Sequence, residues 1–250
     1  MGPSDPFASE LPELALSADR STLPLAEIQG NVLAGFNKPH VAYVFATFTD
    51  PVGARRWLHD LAPRLAWSDT VATFNDRYRQ HRAHGGGDRD APIATWRNVA
   101  LSWDGLRVLG RPDHELASFP EEFRVGMAAR AAQLGDVDAS APEQWPVPLR
   151  TPSHVVLLVA ADRSDDRDAA VVYETIAMNR LGVVDHWVQY GDTRADEPGH
   201  EHFGYRDGIS QPAVRGFTAT QVPGRDQLWP GEFVLGHPGQ AGAGAALDAQ

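Results

Sequence analysis

Four short apolar runs and two helical faces, arriving in a fixed order, constrain this chain more than anything else in it. Residues 41–48 form a nearly continuous apolar run rich in Val and Phe, the mark of a buried strand. Asp50-Pro51 follows as a cap and first-turn pair. Ala54, Trp57, Leu58, Leu61 and Leu65 then share one helical face over 53–65, with Pro63 placed to end or bend that helix. Residues 98–103 predict a second strand, running into Asp104-Gly105 and a short helix around Leu106 and Leu109. Residues 154–161 predict a third. Ala169, Val172, Ile176 and Leu181 define one face of a helix over 166–181, Gly182 supplies its stop, and 183–190 return as a strand.

Strand, helix, strand, strand, helix, strand is the split β-α-β order of ferredoxin-like domains. It predicts an α+β fold: a four-stranded antiparallel sheet with helices 53–65 and 166–181 on one face. Elsewhere the pattern is weaker. Residues 71–74 read as a short strand and 81–92 as a Gly/Asp-rich loop. A helix is expected over 121–134, with acids at its start, Phe123, Met127, Ala131 and Leu134 on one face, and Gly135 at its end. Residues 1–26 read as an amino-terminal arm, 27–215 as the ferredoxin-like domain, and 216–250 as a linker and low-complexity tail. Gly242-Ala243-Gly244 in that tail is not a dinucleotide loop, because no third Gly, preceding strand or following helix accompanies it.

Composition narrows the function. With 42% hydrophobic and 22% charged residues the 250-residue chain can bury a sizeable core. A net charge of -11 argues against nucleic acid and anionic membrane as partners. Cys is absent, which removes disulfides, thiolate nucleophiles and Cys-ligated metal or iron–sulfur centres. Residues 1–20 carry acids and prolines rather than a basic and then apolar signal, and no window approaches the ~18 apolar residues of a membrane span. These features lead to the expectation of a cytoplasmic protein.

The stretch over 201–212, E-H-F-G-Y-R-D-G-I-S-Q-P, is the candidate site. It frames Asp207 between Gly204 and Gly208, so the backbone turns sharply there or lies flat against something large. On spacing alone the string is a turn; a lone acid held on such a turn can also project into a pocket as proton donor and acceptor. Arg206 neighbours Asp207 but points to the opposite face of an extended segment. His200 and His202 alternate around Glu201 without a third ligand at metal-like spacing, which favours solvated or hydrogen-bonded side chains. His81 and His84 fall in the Gly/Asp-rich loop, His186 in an apolar strand, and His237 in a turn between Gly236 and Pro238. Asp185 and Glu201 would be a carboxylate pair with Asp207 only if folding brought them close.

Four strings in order carry a family resemblance: E-I-Q-G-N-V-L-A-G-F (27–36), N-V-A-L-S-W-D-G-L-R-V-L-G (98–110), F-R-V-G-M-A-A-R-A-A-Q-L-G-D (123–136) and the 201–212 string. Together they resemble the amino-terminal half of a dye-decolourising (DyP-type) haem peroxidase, in the branch that includes fungal enzymes. The resemblance implies the first of two ferredoxin-like domains, haem b as cofactor, and hydrogen peroxide with phenols, dyes or other small aromatic reductants as substrates. It places Asp207 on the distal side of haem, taking a proton from one peroxide oxygen and delivering it to the other so that water leaves. Gly204, Gly208, Ile209, Ser210 and Gln211 would line the same wall. With an ordinary Asp pKa of about 3.9, such an enzyme favours mildly acidic conditions unless burial raises that value. The family's axial His and distal Arg belong to the second domain, and this chain ends in its tail where that domain would begin. No metal ligand is therefore assigned here, and a homo-oligomer or a complementing carboxy-terminal half is the expected partner. The alternative is a non-catalytic ferredoxin-like module for binding or assembly.

Overall fold

Burial alternates along the central strands, and that alternation sets the layers. In chain order the main elements are β1 (His40–Phe48), α1 (Pro51–Leu61), α2 (Ser68–Ala83), β2 (Thr95–Leu101), α3 (Trp103–Val108), α4 (Glu121–Ala129), β3 (Val155–Ala161), α5 (Ser164–Arg180) and β4 (Val183–Asp192), followed by two-residue strands β5 (Ala213–Val214) and β6 (Gln227–Leu228). The computed structural model describes residues 23–150, 152–206, 212–218 and 227–240. These fall into two units, one built from 40–65 and 95–191, the other from the described parts of 1–39, 66–94 and 192–250.

The first unit is the ferredoxin-like sheet, with strand order β2-β3-β1-β4. Register pairs Val44 with Leu157 across β1 and β3, and Val99 with Leu157 across β2 and β3, both antiparallel. Ala42, Val44 and Ala46 thus share a face with Val155, Leu157 and Val159. That face is covered by Ala54, Trp57 and Leu61 of α1 and by Ala170, Val171 and Met178 of α5. Helix α1 starts as expected: Val52 N–H donates to Asp50 Oδ1 at 2.9 Å, and Pro51 occupies the first turn, where its missing N–H is not needed. It ends at Leu61, and Pro63 lies in the single 3-10 turn Ala62–Arg64 that follows.

The phase of α5 differs from the expected one. Its buried residues are Arg167, Ala170, Val171, Glu174 and Met178, while Val172 and Ile176 are 57% and 48% exposed. The helix is apolar on two sides, and the core side contains a carboxylate. Glu174 is fully buried there, accepting from Arg64 Nε (3.1 Å) and Nη2 (2.9 Å) and from Arg97 Nε (2.7 Å). Arg97 reaches it because β2 register places that residue opposite Val159, on the helix-covered face. Two guanidinium partners offset the cost of burying the charge.

Four other expectations are corrected. Residues 71–74 lie inside α2, not a strand; Val71 and Ala72 are buried on its inner side, and a four-residue apolar run does not distinguish the two. That helix runs to Ala83, so His81 sits in its last turn and His84 caps its carboxy end, rather than both lying in a loop. Strand β2 ends at Leu101, because Ser102 caps α3 by accepting from Gly105 N–H at 3.0 Å, which takes Trp103 into the helix. The helix expected over 121–134 is broken. Gly126 adopts φ 73°, ψ 177°, a region open essentially to Gly alone, and a second piece, Ala131–Leu134, follows Arg130. Phe123, Met127 and Leu134 are exposed, with the Phe123 ring tilted against that of Phe119 at a centroid distance of 5.0 Å.

The second unit has its own core of Leu23, Ile28, Ala72, Val214 and Phe217, with Leu25, Leu33, Phe233 and Val234 packed on it. Gly30 N–H donates to Ala66 O at 2.8 Å and Ser68 N–H to Ile28 O at 2.8 Å, tying the amino-terminal segment to the start of α2. Among the described residues no helix is long and apolar enough to cross a membrane.

Candidate functional site

The chain entering the candidate site is a tight hairpin over 200–206. Glu201 N–H donates to Tyr205 O at 2.8 Å, Gly204 N–H donates to Glu201 O at 2.9 Å, and His200 bridges Arg206 in antiparallel fashion. This is the pattern of a three-residue hairpin loop whose last residue is left-handed. Gly204 holds that place with φ 90°. A Cβ built on it would meet none of the described residues within 4 Å, so among them conformation rather than close packing is what favours glycine here.

Arg194 ties down the base of this hairpin. Its Nε and Nη2 donate to Asp196 Oδ1 (3.2 Å) and Oδ2 (2.6 Å) in fork geometry, Nη1 pairs with Glu197 at 3.0 Å, and Nη1 also donates to Glu201 O at 3.3 Å. The Arg194 hydrogen bond, helped by Asp196's own backbone N–H, pulls the Asp196 carboxyl down to about 2. The Asp196 bond in turn raises Arg194. Upstream, Thr193 N–H donates to Pro39 O at 2.9 Å.

Downstream of the site, Ala213 and Val214 form β5, parallel to β6. Val214 N–H donates to Thr218 Oγ1 at 3.0 Å, Thr218 N–H returns to Val214 O at 2.8 Å, and Phe217 is fully buried. Asp207, Gly208, Ile209, Ser210 and Gln211 themselves lie outside the described residues. Their two flanks are anchored by the Arg194 clamp and by the Val214–Phe217 core.

The other candidates are dispersed. His81 Nε2 bonds Gly87 O at 3.0 Å and His84 Nδ1 bonds Gln80 O at 2.7 Å, both within the local chain. His186 Nε2 lies 3.2 Å from Ser153 Oγ. Asp185 accepts from Asn179 Nδ2 at 2.8 Å. His237 lies just past a turn at Gly236, which has φ 81°. His202 is exposed in the hairpin loop, and His200 Nδ1 is buried with no hydrogen-bond partner among the described residues. Among the described residues no group of three or more His, Cys, Asp or Glu is placed to hold a metal ion. Phe203 and Tyr205 are 87% and 73% exposed, so they do not wall a closed slot. Together with the open space over Gly204, this means the described residues alone do not build a haem cradle. Sequence reasoning missed the Arg194 clamp, although Arg194, Asp196 and Glu197 stand two and three positions apart; it also missed the Arg64–Glu174–Arg97 group.

A protein-family model described as the DyP dimeric alpha+beta barrel domain matches residues 27–182. The chain belongs to the DyP family. It is 29% identical over 237 residues to a dye-decolorizing peroxidase of Mycena epipterygia, covering 94% of this chain and 41% of that protein. It is 28% identical over 239 residues to the dye-decolorizing peroxidase AauDyP1 of Auricularia auricula-judae, covering 94% and 40%. Among solved structures, an ancestral D-type dye-decolorizing peroxidase superposes with TM-score 0.73 at 30% identity, over 88% of this chain and 46% of that one. A variant of the Pleurotus ostreatus enzyme gives 0.75 at 26% identity, over 89% and 47%. The chain spans about four tenths of the length of the relatives it matches, in their amino-terminal part.

Proposed function

We propose that this chain serves hydrogen-peroxide-dependent oxidation of phenolic or dye substrates, as the amino-terminal part of a DyP-type peroxidase, with Asp207 as the proton-transferring acid–base group. The observation that carries this reading is the family match over 27–182, continued by a clamped hairpin that delivers the chain to Asp207. Haem b, the cofactor the resemblance implies, supplies the redox chemistry when bound. The contribution of this chain is positional and protic. Asp207 is proposed to accept a proton from one oxygen of hydrogen peroxide and return it to the other, which demands a carboxylate within hydrogen-bond reach of both. Gly208, Ile209, Ser210 and Gln211, with Gly204, are proposed to form the wall beside it, and Arg206 to stay off it.

The test supplies a DyP carboxy-terminal half, with its axial His, to the chain in the presence of hemin. The proposal expects a Soret band and peroxide-dependent dye bleaching from the pair, and neither from this chain alone. A pair that assembles but retains no haem and bleaches nothing would support the non-catalytic module instead.

A further inference from the structure

The outer side of α5 has a composition that a solvated helix does not need. Its exposed residues are Asp165, Asp168, Ala169, Val172, Tyr173, Ile176, Asn179 and Arg180, recurring at three- and four-residue steps. The opposite side of the same helix is already spent on the sheet, through Ala170, Val171 and Met178. A surface helix ordinarily turns polar residues outward; here Val172, Tyr173 and Ile176 make a contiguous apolar stripe. The stripe is also polar at its two ends in opposite senses. Asp165 and Asp168 lie at the amino end and Arg180 at the carboxy end, with Asp168 held by Arg167 of its own chain at 2.8 Å.

We infer that this face is an interface for a second copy of the same chain, two α5 helices packing antiparallel about a two-fold axis between Val172 and Tyr173. That arrangement sets Asp165 of each copy against Arg180 of the other, Ala169 against Ile176, and Val172 against Tyr173. Every contact occurs twice, as an isologous interface requires. Small Ala169 faces larger Ile176, and opposite charges close both ends. A parallel pairing would instead set acid against acid. Tyr173 is prepared for contact: the Arg64 guanidinium lies 5.5 Å from its ring centroid and is itself fixed by Glu174, so little side-chain freedom remains to be lost. The chain's net charge of -11 opposes random self-association, which leaves complementary ends as the feature that selects this register.

The inference is independent of haem and of activity. Sedimentation equilibrium on the full chain tests it, with a circular-dichroism melt on each variant to confirm folding. The parent is expected to form a concentration-dependent dimer. Ile176→Arg, at an exposed position, should weaken it at least about tenfold by setting a charge into the stripe. Asp165→Arg should weaken it by at least about as much, since it faces Arg180 with Arg at both ends. Adding Arg180→Asp to Asp165→Arg should restore affinity to within about threefold of the parent, because the swapped pair is again complementary. The helix-end cost of Asp165→Arg persists in that double variant, so restoration isolates the pair. A parent that stays monomeric, a dimer indifferent to Ile176→Arg, or a double variant no tighter than Asp165→Arg alone would each overturn the inference.

Discussion

Gly204 is where a single residue decides how the chain meets its site. Its φ of 90°, with no described residue within 4 Å of a built Cβ, makes the penalty of a side chain conformational. Gly204→Ala should therefore destabilise by about 1–2 kcal/mol in urea unfolding, while Gly204→Asn should recover part of the loss, since Asn tolerates the left-handed region. Equal losses for Ala and Asn would mean that space, not dihedral angle, is limiting. His154 is the second residue with a physical consequence. Its Nδ1 accepts from Phe48 N–H at 2.9 Å, and burial pushes its pKa down. The folded state then prefers the neutral ring, so its contribution is complete above the unfolded value of about 6.5 and is lost as pH falls from there through the lowered folded value. His154→Gln keeps an acceptor but does not titrate; the slope of unfolding free energy between pH 7.5 and pH 5 should be shallower in that variant than in the parent.

At the scale of elements, α5 shows what was legible and what was not. Strands β1, β3 and β4 were legible as strand-length apolar runs, and helix α1 because one periodicity dominated it: Ala54, Trp57 and Leu61 share a helical face, and all three are buried. In α5 two apolar faces compete, and Val172 and Ile176 outscore a core face interrupted by Arg167 and Glu174. Nothing local says that Arg64 and Arg97, distant in sequence, neutralise Glu174. Gly126 similarly breaks a helix whose apolar spacing is sound. At the site, a sharp turn was legible through Gly204, but the hairpin it closes and the Arg194 clamp were not, because the clamp's fork depends on side-chain direction rather than on period. The assignment of faces is checked by two neighbouring truncations. Val171→Ala should cost about 2 kcal/mol in urea unfolding by emptying core volume, whereas Val172→Ala should stay within about 0.5 kcal/mol. The reverse order would restore the phase read from the sequence.

For the whole molecule, the proposal is that a DyP-type fold presents to peroxide one acid, Asp207, the next residue in sequence after a clamped hairpin. The decisive measurement is the stopped-flow rate of peroxide reduction by haem-loaded protein that includes the axial-ligand half, compared between the parent, Asp207→Asn and Arg206→Gln. Asn preserves shape and much of the hydrogen bonding but cannot shuttle a proton, so its rate should fall by roughly 10²–10⁴-fold. Haem content should hardly change, and Arg206→Gln should remain within a few-fold of the parent. An Asp207→Asn protein that reacts at the parent rate while Arg206→Gln is slow would contradict the assignment.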